Sequence, residues 1–287
     1  MTFSGPEPLP IDSQDGPNPP LCARVAPITD LGRKRRNNQD NYLVLPLDGS
    51  MAPKSGEQSI VGLDKPGLLL AIADGMGGHL DGEVASRMCV ENLAKEAVNQ
   101  LSHAESGHPD LPSTLLQAVA ATHGLIFSYA QEHAEGATMG TTLTAALLSG
   151  ERAHVAQVGD SRAYLFRNGS LALLTQDQTI ENKFRAHGED SSQVDAKIKE
   201  MLTQAVGAQA DIEVSMTAID LEPQDFLLLC SDGLHKIVPP AEIVDVLELD
   251  IAPGEKASQL VARANEYGGQ DNITAILVEI CEAEPSS

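Results

Sequence analysis

The stretch Leu68-Leu69-Leu70-Ala71-Ile72-Ala73-Asp74-Gly75-Met76-Gly77-Gly78-His79 runs six apolar residues straight into a carboxylate. A run of that length, apolar at odd and even positions alike and bounded by glycine, predicts a strand buried on both faces. A second such run, Phe226 to Cys230, meets a carboxylate after one residue, in Ser231-Asp232-Gly233-Leu234. Two more aspartates stand at the edges of apolar runs, Asp40 in Asn37-Asn38-Gln39-Asp40 and Asp271 in Gly269-Gln270-Asp271-Asn272. Asp-Gly alone is an ordinary turn signature. Four carboxylates at strand ends are another matter, because burying an unpaired charge is costly and a divalent cation shared by several of them removes that cost.

Working outward from these runs, short strands come in pairs. Tyr42 to Leu45 and Leu68 to Ile72 flank Leu47 to Gly67, a Gly- and Pro-rich stretch that reads as a long hairpin loop. Thr141 to Leu148 and Ala153 to Val158 flank Ser149-Gly150, and Ala163 to Arg167 and Leu171 to Leu174 flank Asn168-Gly169, a strong two-residue hairpin signal. Ile212, Val214, Met216 and Ala218 alternate with Glu213, Ser215 and Thr217, predicting a strand whose apolar set faces inward. Phe226 to Cys230 and Ile273 to Ile280 complete the strands. Helical periodicity covers Gly82 to Leu101, with Asp81 placed to cap it, then Ser113 to Ala134, Pro240 to Leu249 and Glu255 to Tyr267. Hairpin-linked strands interrupted by paired helices predict an α+β fold of antiparallel sheets with helices on their outer faces. Residues 1–22 read as a Pro-rich tail, 23–281 as one domain and 282–287 as a C-terminal tail. The polar stretch Gln176 to Thr203, with one short helix at Asp195 to Leu202, reads as a surface flap.

The 287 residues carry 41 Asp plus Glu against 19 Lys plus Arg, a formal net charge of −22. That excess repels phosphate backbones and anionic membranes at long range, so nucleic acid and membrane surfaces are not expected partners. With aromatics at 3% and no Trp, stacking platforms for single strands are missing too. The first 20 residues have neither the basic nor the apolar segment of a secretory signal, and no run approaches the length of a bilayer span. Cys22, Cys89, Cys230 and Cys281 are scattered without a Cys-x-x-Cys pair, which disfavours zinc and a disulfide framework and leads us to expect reduced thiols in a cytoplasm.

An all-oxygen ligand set with no recurring Cys or His selects Mg²⁺ or Mn²⁺, and Gly75 lets its own carbonyl approach a metal. The motifs, in chain order, are Thr29-Asp30-x-Gly32-x-x-Arg35-x-Asn37-Asn38-Gln39-Asp40, Asp74-Gly75-Met76-Gly77-Gly78-His79, Gly140-Thr141-Thr142, Val158-Gly159-Asp160-Ser161-Arg162, Ser231-Asp232-Gly233-Leu234 and Asp271-Asn272-Ile273-Thr274. Over about residues 25 to 280 this order resembles the PPM-type (type 2C) metal-dependent protein serine/threonine phosphatases, and Met76 within Asp-Gly-Met-Gly-Gly is similar to their bacterial branch.

The resemblance implies a four-layer α-β-β-α sandwich, two central antiparallel sheets flanked by helices, with the metal site in a cleft at one edge of the sheets. It implies two Mn²⁺ or Mg²⁺ ions held by Asp40, Asp74, the Gly75 carbonyl, Asp232 and Asp271, and phosphoserine or phosphothreonine hydrolysed by direct attack of a hydroxide bridging the two metals. Arg35 matches the family's phosphate-binding arginine. Asp160 matches a position that, with Asp232, binds a third metal in bacterial relatives; a plain turn aspartate is the equal alternative. His79 is a candidate proton donor where Met76 cannot serve, or else a structural residue at a helix entry. The partners implied are phosphorylated proteins, the substrates of a Ser/Thr kinase, met by a monomer. Two rivals fare worse. A scaffold without turnover would leave idle buried aspartates, and a P-loop or dinucleotide site lacks its spacing around Gly75 to Gly78.

Overall fold

The computed structural model describes residues 19–64, 67–76, 81–102, 110–133 and 139–283. Two antiparallel sheets face each other. The first has the order β3-β1-β12-β11-β8-β9, from β1 (Leu21–Asp30), β3 (Ser59–Gly62), β8 (Arg162–Arg167), β9 (Ser170–Leu173), β11 (Phe226–Cys230) and β12 (Ile273–Glu282). The second has the order β10-β7-β6-β4-β2, from β2 (Asp40–Pro46), β4 (Leu68–Met76), β6 (Leu143–Ser149), β7 (Arg152–Val158) and β10 (Ser215–Asp220), with β5 (Gly140–Thr141) added to the end of β4. Helices α1 (Asp81–Ser102) and α2 (Leu111–His133) cover the second sheet; α5 (Asp232–His235), α6 (Pro240–Leu247) and α7 (Pro253–Glu266) cover the first. The expected four-layer sandwich is the observed one.

The period of two along each strand explains why three separate cores form. In β4, Leu68, Leu70 and Ile72 point between the sheets while Leu69, Ala71 and Ala73 point at α1 and α2. Leu227 and Leu229 of β11 likewise join the inter-sheet core, and Phe226, Leu228 and Cys230 the core under α6 and α7. Both runs therefore read as continuously apolar, and each fully buried leucine contributes about 2 kcal/mol of burial free energy.

Several expectations are corrected. The connection Leu47 to Gly67 does join neighbouring strands, but it also carries β3, which crosses to pair with β1 in the facing sheet. Strand β1 itself lacks a sequence signal because Pro27 interrupts it. Proline is tolerated there because β3 pairs only with Cys22 to Val25, and at Pro27 that side of β1 uses its carbonyl, which accepts from the Gly56 amide. β1 begins at Leu21, inside the segment read as a tail, and residues 1–18 and 284–287 lie outside the described residues. β10 keeps its alternation with the opposite phase. Met216 and Ala218 face solvent, while Ser215 and Thr217 turn inward to receive a hydrogen bond from Gln178 and to donate one to the Leu174 carbonyl. The flap holds two helices where one is expected: α3 (Ile180–His187), and α4 (Ala196–Lys199), which is capped by Asp195 and shorter than the expected span of Asp195 to Leu202.

The expectation of four reduced thiols fails at one pair. Cys22 and Cys281 are register partners across β1 and β12 and form a disulfide at a Cα–Cα separation of 5.0 Å. Cysteine usage therefore no longer argues for a reducing compartment. No helix among the described residues is long and apolar enough to cross a membrane.

Candidate metal centre

The aspartates singled out in the sequence gather at one end of the sandwich because every one of them sits where a strand starts or stops there. Asp40 opens β2 and Asp74 lies near the end of β4, and the two are direct cross-strand partners. Asp232 follows β11 by one residue, Asp271 precedes β12 by one, and β11 and β12 are antiparallel neighbours. Asp160 follows the end of β7, next to Arg162 at the start of β8.

Two glycines make the close approach possible. A Cβ on Gly75 would lie 2.0 Å from the Gly82 carbonyl oxygen of α1 and 2.9 Å from that of Gln39. A Cβ on Gly233 would lie 2.0 Å from the Asn272 carbonyl oxygen. Larger residues at either position would push Asp74 or Asp232 away from the others.

The carboxylates are partnered unequally. The Ser231 hydroxyl donates to Asp40 Oδ2 at 2.7 Å while its own oxygen accepts from the Thr274 amide at 3.0 Å. Arg35 forms a salt bridge with Asp271. Lys236 places its ammonium 2.8 Å from Asp232 Oδ2 and 2.8 Å from Asp160 Oδ2. The Asp74 main chain is fixed by Thr141 and Thr142, whose hydroxyls and amide bind its carbonyl and amide at 2.8 to 3.0 Å. The loop bearing Arg35 is tied down by Asn272, which donates to the Leu31 and Asn37 carbonyls and accepts from the Gln39 amide.

The electrostatics are those of a site short of positive charge. Burial, reinforced by the charges of Asp232 and Asp271, pushes the Asp40 carboxyl up to about 7 despite two hydroxyl donors. Burial and the neighbouring Asp40 and Asp232 hold Asp74 well above the usual carboxylate range. Burial acts the same way on Asp232, but the Lys236 ammonium outweighs it and keeps that carboxyl low. Asp232 Oδ1 is buried with no hydrogen-bond partner among the described residues.

These features fit a divalent cation pair. The donor set is all oxygen, two of its carboxylates are held above their normal ionisation, and one buried oxygen is orphaned. No three His, Cys, Asp or Glu side chains among the described residues stand close enough to form a finished coordination shell. Arg35, Ser231 and Lys236 instead engage Asp271, Asp40 and Asp232. A cysteine nucleophile is not on offer. Cys89 and Cys230 are buried, and burial pushes the Cys89 thiol up to about 12 and Cys230 higher still.

The family model described as Protein phosphatase 2C matches residues 58–277. The chain belongs to the protein phosphatase 2C family. Relatives agree: a serine/threonine phosphatase stp of Listeria welshimeri is 36% identical over 256 residues, 88% of this chain and 93% of its own length. Among solved structures, the Streptococcus agalactiae serine/threonine phosphatase superposes with a TM-score of 0.74 at 30% identity, over 90% of this chain and 99% of that one. The catalytic domain of the phosphatase PstP, solved with two manganese ions, matches at 0.71 and 31% identity over 91% and 99%. The reading of a PPM-type phosphatase of the bacterial kind, an enzyme, holds.

Of the sequence-predicted site residues, Arg35, Asp40, Asp74, Gly75, Asp160, Asp232 and Asp271 come together in this family member's cleft. His79 lies outside the described residues. The sequence reading missed Lys236, Ser231, Thr142 and Asn272. Ser231, Thr142 and Asn272 stand within the motifs without an assigned role, and Lys236 has an acid–lysine spacing of four within one helical turn as its signal.

Proposed function

We propose that this protein phosphatase 2C removes phosphate from phosphoserine and phosphothreonine of proteins modified by a Ser/Thr kinase, using two divalent ions held by Asp40, Asp74, the Gly75 carbonyl, Asp232 and Asp271. The observation that carries the reading is the gathering of these carboxylates around an orphaned, buried Asp232 oxygen, with Asp40 and Asp74 lacking a cation. The two manganese ions of the PstP catalytic domain support it. Mn²⁺ or Mg²⁺ held by these residues would supply the positive charge that activates water near neutral pH for direct hydrolysis of the phosphate ester.

The chain's own residues bind and orient. Arg35, half-exposed at the rim and paired with Asp271, presents a planar guanidinium suited to a phosphate dianion. Ser231 fixes which way the Asp40 carboxylate faces, and Asn272 fixes the loop that carries Arg35. The flap borders the same end of the molecule. Arg162, beside Asp160 in sequence, holds the flap's Asp177 with two hydrogen bonds of 2.7 and 2.8 Å.

The test is hydrolysis of a phosphothreonine peptide. Turnover is expected with Mn²⁺, is abolished by EDTA, and falls about 100-fold or more in Asp232→Asn, as expected when several kcal/mol of charge stabilisation are lost. Turnover that survives EDTA, or an Asp232→Asn variant at full activity, would overturn the reading.

A further inference from the structure

Asp160 poses a choice that its motif leaves open: it either helps hold a third ion or is a turn residue. The structure offers a third answer. The Lys236 ammonium stands 2.8 Å from Asp160 Oδ2 and 2.8 Å from Asp232 Oδ2, bridging them as one shared cation. The Asp160 side chain is 6% exposed and that of Asp232 21%. Two largely enclosed carboxylates this close need a counter-charge, and the lysine provides one that cannot diffuse away.

The lysine is held there by its surroundings. Lys236 follows α5 directly, four residues after Asp232, so the helical turn points both side chains the same way. The next residue back, His235, is buried and has its Nε2 2.9 Å from the Asp160 carbonyl oxygen, which fixes the Asp160 main chain against α5.

We propose that the Lys236 ammonium occupies the place of a cation between Asp160 and Asp232, so that this chain holds two divalent ions and not three. The inference rests on the two-ion reading above and specifies its limit. A divalent ion shared between these two Oδ2 atoms at roughly 2.0 to 2.6 Å would lie within contact distance of an ammonium already hydrogen-bonded to both. Its entry therefore requires the lysine to leave. Lys236 is a positioning residue: it holds Asp232 by Oδ2, so that Oδ1 stays free of the ammonium.

The experiment is Mn²⁺ stoichiometry by equilibrium dialysis with metal analysis, on the full chain, for wild type, Lys236→Gln, Lys236→Arg, Lys236→Gln/Asp160→Asn and Asp160→Asn. Two ions are expected in wild type, in Lys236→Arg and in Asp160→Asn. Three are expected in Lys236→Gln, and two again in the double variant. Lys236→Gln remaining at two overturns the proposal. Three ions in wild type, falling to two in Asp160→Asn, overturns it without any lysine variant having to fold. Fewer than two ions in wild type is a different failure, because it overturns the two-ion reading itself.

Discussion

Two pairs of aspartates meet at one end of the sandwich and are given different partners. Asp40 and Asp74, cross-strand partners on β2 and β4, form no salt bridge among the described residues, Asp40 taking the Ser231 hydroxyl and Asp74 being held through its main chain, and both are pushed toward the protonated form. Asp160 and Asp232, at the ends of β7 and β11, share the Lys236 ammonium, which keeps Asp232 low while burial still raises Asp160. The difference teaches that the protein neutralises one half of its site with its own side chain and leaves the other half to be neutralised from outside. Charge deficiency, not mere clustering of acids, marks where an external cation is wanted.

The sharpest way to break this comparison is to neutralise one member of each pair. Asp74→Asn is expected to lower phosphatase activity about 100-fold or more, since it removes a charge contributing several kcal/mol to the loaded site. In EDTA the same variant is expected to melt above wild type, because an unfavourable carboxylate is gone. Asp232→Asn is expected to melt below wild type in EDTA, because it leaves Lys236 with one partner. Thermal melts of both variants with and without Mn²⁺ check this, and equal shifts in the same direction would dissolve the distinction.

A smaller effect is expected at the orienting hydroxyl. Ser231→Ala removes the donor to Asp40 and is expected to weaken Mn²⁺ affinity about 10- to 100-fold, the range for partners that orient metal ligands, with little change in turnover at saturating metal. Calorimetric titration of Mn²⁺ measures it; unchanged affinity would mean that Asp40 needs no fixing.

The smallest effect is a pH slope. A carboxyl whose folded pKa is raised contributes stability that is fully present below its unfolded pKa and is lost as pH rises through the folded one. Metal-free protein is therefore expected to lose stability between about pH 4 and about 7 through Asp40, and Asp40→Asn to lose less over the same window. Urea denaturation in EDTA across that range checks the sign. Adding Mn²⁺ is expected to stabilise more at pH 7 than at pH 5, because coordination requires the deprotonated carboxylate.

The sequence alone determined the strands that are apolar on both faces, the Asn168-Gly169 hairpin and the placing of Asp40, Asp74, Asp232 and Asp271 at strand ends. These are local facts: periodicity, turn chemistry and a charge next to a buried run are written within a few residues. Only the tertiary structure decided that β3 leaves its hairpin for the opposite sheet, that Cys22 meets Cys281 and that β10 turns Thr217 inward. It also decided that Lys236 stands between Asp160 and Asp232. Each of those depends on a partner distant in the chain, 259 positions away for the two cysteines, and no spacing in the sequence encodes a contact whose other half is supplied by the register of another strand.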